Sequence, residues 1–248
     1  MVTLAINTAS ATESLALFSK RKSKDKLLAE TSWKGNRDET QKLLPQIMKL
    51  LKKARLKLNE VERIIVVRGP GPFSALRIGV TVANILAVTL NAELFSIDTK
   101  RLWELRAPDT RMPSIQMANI SILLLHAGGD FVARGAGFIK GNKDIRGGTP
   151  GGTPDSPQEG IFHIEAALAL SPKLAEKPLV FFGDLTENEF RQFKRFKKKC
   201  WSFIPEEKLK SFGQTILSAP AKAFKKENRL RGAAPEYWKP PNITKPHA

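Results

Sequence analysis

The chain has 248 residues, 42% of them hydrophobic, which is enough for one large domain or two lobes around a sizeable core. Lysine and arginine outnumber aspartate and glutamate by 41 to 24, and the net charge of +17 favours polyanionic partners, unless it reflects only a basic proteome or a solubility device. The single cysteine, Cys200, excludes an internal disulfide framework and is typical of a reducing cytoplasm. No apolar run is long enough to cross a bilayer and the first residues lack the basic flank of a signal peptide, so we expect a cytoplasmic protein without membrane contact.

The first part of the chain changes from strand patterns to a helix pattern. Residues 2–7 and 14–18 predict two strands around a polar turn, and residues 27–33 predict a third strand. Residues 38–54 then predict an amphipathic helix, with leucines and isoleucines on one stripe and lysines on the opposite face. We therefore expect a strand meander followed by a helix.

A turn rich in glycine and proline follows the buried strand that residues 63–68 predict. Residues 69–72 read GPGP, in which the prolines fix φ and the glycines admit φ values closed to other residues. The helix predicted at residues 73–90 is apolar almost all round, and Ala75, Gly79, Ala83 and Ala87 recur at every fourth position. Because small residues at this spacing let another helix approach closely, we expect the sheet to cover one side of this helix and a partner helix to cover another.

The rest of the chain predicts a second set of strands. Residues 94–98 predict a short strand, residues 119–125 and 131–139 a hairpin, and residues 179–182 a strand that ends at Gly183 and Asp184. Residues 141–160 are rich in Gly, Pro, Thr and Ser, which predicts a mobile loop because few apolar groups offset the entropy of ordering it. A helix is predicted at residues 187–199, with basic residues between three phenylalanines.

The turn and the helix after it carry a family resemblance. Residues 69–79 read GPGPFSALRIG and resemble the GPGSFTGLRIG signature of the TsaB (YeaZ) family, the accessory subunit of the bacterial machinery that makes threonylcarbamoyladenosine in tRNA. Gly69, Pro70, Gly71, Phe73 and Arg77 mark this signature turn, whereas residues 72, 74 and 75 depart from it. Residues 4–17 resemble the family's LAIDTSTxxxSVAL, and residues 235–239 resemble its closing PxYLR. The likeness is strong over roughly the first hundred residues and thin after them.

This resemblance implies an α/β chain with the actin-like ATPase (ASKHA) fold, in which two lobes each have a mixed sheet flanked by helices. It assigns residues 1–100 to an N-terminal lobe that carries the partner-binding helices. Residues 101–248 are assigned to a C-terminal lobe with the mobile loop at about residues 141–160.

In the actin-like superfamily, the turn after the first strand wraps the phosphates of a nucleotide, and a glycine-containing turn of the second lobe contacts it. By this resemblance, Asn7, Thr8, Ser10, Gly183 and Asp184 form a vestigial nucleotide site. Asn7 stands where working ATPases carry an aspartate that orients magnesium-bound water, and an amide brings no negative charge to the metal. The resemblance therefore implies no cofactor for this chain alone, and ATP only in an assembled complex. The alternative interpretations are a strand-end turn former for Asn7, which we favour, and a helix cap for Asp184.

The sequence contains no recognisable catalytic or metal-binding constellation. The family motif HSExLLPxIxxLL begins with a histidine, whereas this chain reads ETQKLLP from Glu39 onward. The catalytic TsaD family holds its metal with a His-x-x-x-His pair on the matching helix, and the three histidines here, His126, His163 and His247, lack that spacing. We therefore predict neither catalytic residues nor a metal site.

The resemblance implies a non-catalytic scaffold that pairs with a TsaD-type catalytic subunit, which transfers the threonylcarbamoyl group to the adenosine next to the anticodon. The other implied partners are a TsaE-type ATPase, tRNA reached through the complex, and a second copy of the chain when the catalytic subunit is absent. The two apolar helices would form the partner interface. The residues assigned to this interface are Leu43, Ile47, Leu50, Ala75, Ile78, Gly79, Val82, Ala83, Leu86 and Ala87.

Three other functions stay open from the sequence. An ATP-dependent kinase-type enzyme of the same superfamily would turn over ATP as an isolated chain, which Asn7 argues against. A metallopeptidase would need the missing histidine pair. A stand-alone basic RNA-binding module would bind tRNA in a salt-sensitive way without a partner, with residues 187–199 on the RNA backbone. For those residues we favour a solvated basic face over phenylalanines that dock to the core.

Overall fold

The computed structural model describes residues 1–20, 25–36, 38–106, 120–127, 130–136, 160–162, 179–185, 187–196 and 201–237. Its strands are β1 (Val2–Asn7), β2 (Thr12–Lys20), β3 (Asp25–Lys34), β4 (Val61–Val67), β5 (Glu93–Ile97), β6 (Ile120–Ala127), β7 (Asp130–Ala136), β8 (Gly160–Phe162), β9 (Leu179–Asp184), β10 (Trp201–Phe203) and β11 (Lys225–Lys226). Its helices are α1 (Glu39–Ala54), α2 (Phe73–Thr89), α3 (Thr99–Arg106), α4 (Glu187–Phe196) and α5 (Phe212–Ser218). Short 3-10 turns occupy Leu58–Glu60, Glu206–Lys208 and Ala221–Ala223.

Among the described residues, the first sheet has six strands in the order β11-β5-β4-β1-β2-β3. Strands β1, β2 and β3 form an antiparallel meander, whereas β1, β4 and β5 run parallel to one another. Parallel strands have helices on their faces and therefore read as continuous apolar runs, and β4 contains Ile64 to Val67 for this reason. Leu4, Ile6, Ile64 and Val66 are fully buried at the centre of the core.

The second sheet has five described strands in the order β10-β9-β6-β7-β8. Strands β6 and β7 form the predicted antiparallel hairpin, and β6, β9 and β10 are parallel. Phe182 of β9 is fully buried, and so is Phe193 of α4, which lies against this sheet with its ring 4.9 Å from that of Phe181. The fold thus has two mixed sheets with helices on their faces.

Charged and capping residues explain where helix α1 begins and ends. Asp38 and Glu39 place negative charge at its first turn, and Lys52 and Lys53 place positive charge at its last turn, which complements the helix dipole. Arg55 takes a left-handed conformation and its backbone N–H donates to the carbonyls at the helix end.

Part of the C-terminal half packs on the first sheet. The backbone N–H of Gly213 in α5 donates to the Glu30 carboxylate of β3 over 3.0 Å, and Lys225 of β11 pairs with Ser96 of β5. Helix α5 and strand β11 therefore pack on the first sheet, although both belong to the residues assigned to the C-terminal lobe; that division into lobes stays a prediction.

Several predicted features lie outside the described residues. These are the Gly/Pro-rich segment 141–159, residues 197–199 of the helix predicted at residues 187–199, Cys200, His163 and His247. None of the helices in the described part of the chain has the length and apolarity needed to cross a membrane.

Candidate functional site

The Asn7 and Ser10 side chains form hydrogen bonds within the turn after β1. The Asn7 side-chain oxygen accepts the backbone N–H of Ala9 over 3.0 Å, and its amide nitrogen donates to the Ser10 hydroxyl over 3.1 Å. This arrangement, in which a side chain substitutes for a backbone turn contact, is a common use of asparagine at the end of a strand. Asn7 therefore has the geometry of a strand-end turn former.

The glycines of the signature turn let backbone segments approach one another. A Cβ atom on Gly71 would lie 2.2 Å from the carbonyl oxygen of Ala9, and one on Gly79 would lie 2.0 Å from the Thr8 hydroxyl. Neither position has room for a side chain. On α2, the small residue at position 79 is thus required by contact with the turn after β1.

A second segment, which we call the tail clasp (residues 232–237), binds the other side of the signature turn. The Glu236 backbone N–H donates to the Arg68 carbonyl over 2.7 Å, and the Glu236 carboxylate pairs with the Arg68 guanidinium over 2.8 Å. Gly69 has φ of +111°, and a Cβ there would lie 2.4 Å from the Glu236 carbonyl oxygen. The Tyr237 ring lies 4.7 Å from the Phe73 ring.

The tail clasp also covers one side of α2. The Asn84 side chain donates to the Ala233 carbonyl over 3.0 Å and accepts the Ala233 N–H over 2.8 Å. Arg77 lies on the same helix with its guanidinium 5.4 Å from the centre of the Phe73 ring. The sequence predicted cover from a partner, but part of that cover comes from this chain.

A hydrogen-bonded contact joins the two sheets. Both carboxylate oxygens of Asp184 accept the backbone N–H of Ala11, at 2.9 and 3.0 Å. Gly183 has φ of +144°, a conformation that few other residues adopt, and this places Asp184 toward the turn after β1. Asp184 thus holds the base of the space between the lobes.

That space, the interlobe cleft, has a volume of about 710 Å³. Its described lining carries five glutamates and one lysine, which are Glu13, Glu39, Glu187, Glu206, Glu207 and Lys34. Phe190 and Phe203 form an apolar part of the wall, with their rings 4.9 Å apart. The cleft is therefore acidic in a chain whose net charge is +17.

Glu13 is the most unusual side chain of the cleft. It is 0% exposed, and its carboxyl group approaches the Glu39 carboxyl group of α1 and the Trp33 indole of β3. Burial, a hydrogen bond with Glu39 and the negative charges of Glu39 and Asp38 together raise the pKa of Glu13 from its ordinary value of 4.5 to about 8. At neutral pH, Glu13 therefore carries its proton.

The sequence reasoning missed Glu13 and Glu39 as site residues. A usable signal existed at both positions. Glu13 lies on a strand otherwise filled with buried apolar residues, and Glu39 stands where the family motif begins with histidine. The contact between the two residues depends on how α1 packs over β2, which no local pattern contains.

Two backbone N–H groups of the first turn are not free to bind the phosphates of a nucleotide. That of Ala9 is engaged by Asn7, and that of Ala11 is engaged by Asp184. Within the described residues, no cluster of three or more His, Cys, Asp or Glu side chains could hold a metal ion.

Most of the residues assigned to a partner interface are buried in the chain itself. Leu43, Ile47, Leu50, Ala75, Gly79, Ala83, Leu86 and Ala87 are all buried, and only Ile78 and Val82 are partly accessible. In this structure the chain itself covers these eight residues, and their assignment to a partner interface stays a prediction. They point toward the sheet and the turn after β1, because the stripe that looks most apolar in sequence is the one that the chain covers first.

The accessible apolar surface lies on the opposite side of the same helices. Four of its side chains, Leu44 and Met48 on α1 and Ile85 and Val88 on α2, are 50–58% exposed. A groove of about 480 Å³ between the helices is lined by Leu44, Ile78 and Val82 and rimmed by Arg77. We call Leu44, Met48, Ile78, Val82, Ile85 and Val88 the outer helix face.

Helix α4 has the arrangement favoured for it from the sequence. Phe193 is fully buried between the rings of Phe181 and Phe203, whereas Arg191, Lys194 and Arg195 are exposed. Glu187 pairs with Arg191 one turn later, and this contact lowers the pKa of Glu187. The basic side chains thus form a solvated face over phenylalanines docked to the second sheet.

Comparison with known proteins identifies related sequences. Residues 28–111 match the family model of TsaD, tRNA N6-adenosine threonylcarbamoyltransferase. The chain is 31% identical over 98 residues to the tRNA threonylcarbamoyladenosine biosynthesis protein TsaB of Buchnera aphidicola subsp. Schizaphis graminum, covering 40% of this chain and 44% of that protein. It is 28% identical over 99 residues to the protein of the same name from Bacillus subtilis, covering 40% and 42%. The chain thus spans less than half the length of the curated relatives that it matches.

Two solved structures share the fold. One, from Pseudomonas aeruginosa, is described as an uncharacterized protein with similarity to peptidase YEAZ; it has a TM-score of 0.61 at 19% identity and covers 96% of this chain and 99% of its own. YeaZ from Pseudomonas aeruginosa has a TM-score of 0.52 at 18% identity and covers 87% and 88%. Together these findings confirm the predicted resemblance to TsaB (YeaZ) and the predicted actin-like α/β fold with mixed sheets.

Proposed function

We propose that this chain is an accessory, non-catalytic subunit in the formation of threonylcarbamoyladenosine in tRNA, and that its outer helix face docks on a TsaD-type catalytic subunit. The observation that carries the proposal is the exposed apolar surface on α1 and α2, which lie within the residues 28–111 that match the TsaD family model. The names of those relatives supply the reaction to which the docking would contribute.

The outer helix face has the properties of a helix-on-helix interface. Leu44 and Met48 lie one turn apart on α1, and Ile78, Val82 and Ile85 follow one another along α2, so that each helix presents a ridge and a groove lies between them. Contiguous exposed apolar side chains on a soluble domain mark sites of protein association. Lys49 and Arg77 are exposed beside the apolar groups and would form a polar rim.

The interlobe cleft supports the non-catalytic part of the proposal. Asn7 and Ser10 bond to one another within the first turn, and the backbone N–H groups of Ala9 and Ala11 are engaged by Asn7 and Asp184. We therefore assign any ATP requirement to the assembled complex, with a TsaE-type ATPase and the tRNA as further members, in the cytoplasm. In the absence of the catalytic subunit, the same face would pair with a second copy of the chain.

Co-purification with the TsaD-type subunit of the same host tests the proposal. Met48→Asp and Ile85→Asp each place a charge on the outer helix face and should reduce capture at least about tenfold, because a desolvated, unpaired charge opposes association. Leu230→Asp is the matched control, since Leu230 is an exposed leucine in a turn outside both helices. We expect this control to bind as the wild type does.

Thermal unfolding of all four proteins shows whether the folds are intact, and the melting temperatures should agree because the substituted side chains are exposed. The proposal is wrong if the wild-type chain does not bind the catalytic subunit. The docking surface is wrong if the wild type binds and both charged variants bind equally well.

A further inference from the structure

One edge of the first sheet carries basic side chains that the proposed function does not use. Residues 55–60 join the end of α1 to the start of β4, and residues 90–92 join the end of α2 to the start of β5. Because β4 and β5 are parallel, the two helices end at the same edge of the sheet. We call the basic residues at these two helix ends the basic edge, which consists of Lys52, Lys53, Arg55, Lys57 and Arg229.

The four basic residues at the end of α1 are exposed, and none of them forms an ion pair with a described residue. The helix dipole explains a preference for cations at Lys52 and Lys53, which lie in the last turn, but Arg55 and Lys57 lie beyond it. Arg55 has φ of +57°, a conformation in which glycine is the usual residue, so the backbone does not select an arginine there. The structure of the helix end alone therefore does not account for these four cations.

A fifth cation comes from the end of α2. The Arg229 guanidinium donates to the side-chain oxygen of Asn91, which follows α2 with φ of +54°. This contact holds a residue from the C-terminal half of the chain at the edge where α2 ends. The basic edge thus brings together residues that are far apart in sequence.

The carboxylates at the same edge are already engaged. Glu62 pairs with the amino terminus over 3.3 Å, and Glu93 pairs with Arg63 over 2.7 Å. The Glu60 carboxylate accepts the backbone N–H of Lys57 over 2.6 Å. These contacts leave the positive charge of the basic edge in excess.

The arrangement of the cations indicates the kind of anion. They are spread over the ends of two helices, which matches a ligand with repeated negative charges better than a single phosphate group. Arginine can hold a phosphate with two parallel hydrogen bonds, and the flexible lysines add charge without requiring one geometry. The net charge of +17 would attract such a polyanion from a distance.

We propose that the basic edge binds the sugar–phosphate backbone of tRNA. The choice of tRNA over another polyanion rests on the proposed function, because the reaction named for the relatives takes place on tRNA. Lys52 follows Met48 of the outer helix face by one turn of α1, so the RNA would lie beside the docked catalytic subunit. Contacts to phosphates position an RNA without reading its bases, which agrees with an accessory role.

Fluorescence anisotropy of a labelled tRNA transcript with the full chain tests the proposal, in 50 to 200 mM KCl. We expect saturable binding whose affinity falls steeply with salt, because bound phosphates release counterions. The double variant Lys52→Gln and Lys53→Gln should weaken binding at least about tenfold at 50 mM KCl. Its salt slope should be smaller by about 1 for each lysine that contacts a phosphate.

The double variant Lys194→Gln and Arg195→Gln is the matched control. These residues are also adjacent, exposed and in the last turn of a helix, so the change in charge and in helix dipole is the same. We expect this control to bind tRNA within about twofold of the wild type. Agreement of the three melting temperatures would show that the folds are intact.

The inference is overturned if the wild-type chain does not bind tRNA saturably at 50 mM KCl. Equal losses in the two double variants would indicate diffuse attraction to a basic protein, and a loss in the control alone would place the RNA on α4. Binding to vesicles that contain phosphatidylserine, without binding to tRNA, would assign the basic edge to a membrane surface instead.

The result is separable from the test of the proposed function, because tRNA binding is measured without the catalytic subunit. A chain that captures the catalytic subunit but does not bind tRNA contradicts only the role of the basic edge. A chain that binds tRNA through Lys52 and Lys53 but fails to capture the catalytic subunit contradicts only the docking proposal.

Discussion

Two openings lie on either side of the first turn of α1, and they differ in chemistry. The interlobe cleft has carboxylates and a fully buried Glu13, whereas the outer helix face is apolar and half exposed. Glu39 lines both openings. The first turn of α1 thus has an opening with several charged side chains on one side and a mainly apolar groove on the other. Four substitutions test whether the two sides are independent.

The largest loss of stability is expected at Gly79, where α2 packs against the turn after β1. Gly79→Ala would place a Cβ 2.0 Å from the Thr8 hydroxyl, between α2 and the turn that forms the cleft wall. We expect a loss of about 3 kcal/mol in the free energy of unfolding, because overpacking there displaces backbone from both openings. Urea denaturation measures this loss in the free energy of unfolding.

Thr81→Ala, at an exposed position of the same helix, is the matched control and should change stability by less than about 0.5 kcal/mol. Adding Thr8→Ala to Gly79→Ala removes the clashing hydroxyl and should recover part of the loss. Equal stability of Gly79→Ala and Thr81→Ala would contradict the packing described for α2.

The second effect is the pH dependence of stability that arises from Glu13 in the cleft. Glu13 in the unfolded chain loses its proton near pH 4.5, whereas in the folded chain it keeps it to about pH 8, so the folded state binds more protons across this window. The wild-type free energy of unfolding should therefore fall as the pH rises from 4.5 to 8. Glu13→Gln cannot ionise and should be more stable than the wild type at pH 8.5, by about 2 kcal/mol.

Urea denaturation of both proteins at pH 5, 7 and 8.5 measures this difference, which should shrink toward pH 5. Parallel pH profiles for the wild type and Glu13→Gln would show that burial does not hold the Glu13 proton. Capture of the catalytic subunit should be unchanged in this variant, because Glu13 does not reach the outer helix face.

The third effect concerns the hydrogen bonds that join α2 to the tail clasp. Asn84→Ala removes both hydrogen bonds between α2 and Ala233, and we expect a loss of about 1–2 kcal/mol in the free energy of unfolding. Residues 227–237 should become more sensitive to limited proteolysis. A variant as stable and as protease-resistant as the wild type would show that the tail clasp does not depend on this side chain.

How much the sequence predicted depends on the range of the contacts involved. Strands β1 to β5 and helices α1 and α2 were predicted because apolar periodicity and turn residues are local. The predicted partner-binding set consists mostly of buried residues, because periodicity shows that a stripe is covered, not whether the cover comes from the same chain. Glu13 meets Glu39, and Ala11 meets Asp184, only after the chain has folded over distances of many residues. No local signal describes such pairs.

The smallest effect on stability distinguishes two neighbouring leucines. Leu44→Ser, at a position 50% exposed, should change the free energy of unfolding by less than about 0.5 kcal/mol and yet weaken self-association measured by sedimentation. Leu43→Ala, at a position 1% exposed, should cost about 3 kcal/mol. Equal costs for the two changes would show that the outer helix face is part of the core.

The late position of β11 and of the tail clasp in the chain affects the order in which the first sheet forms during synthesis. Strand β11 covers the edge of β5, and Glu236 closes the signature turn, although both belong to residues translated after the second sheet. The sheet of the first lobe is thus incomplete until these late residues have been synthesised. Until they leave the ribosome, β5 is an open edge with unpaired backbone groups, which is the kind of surface that chaperones protect.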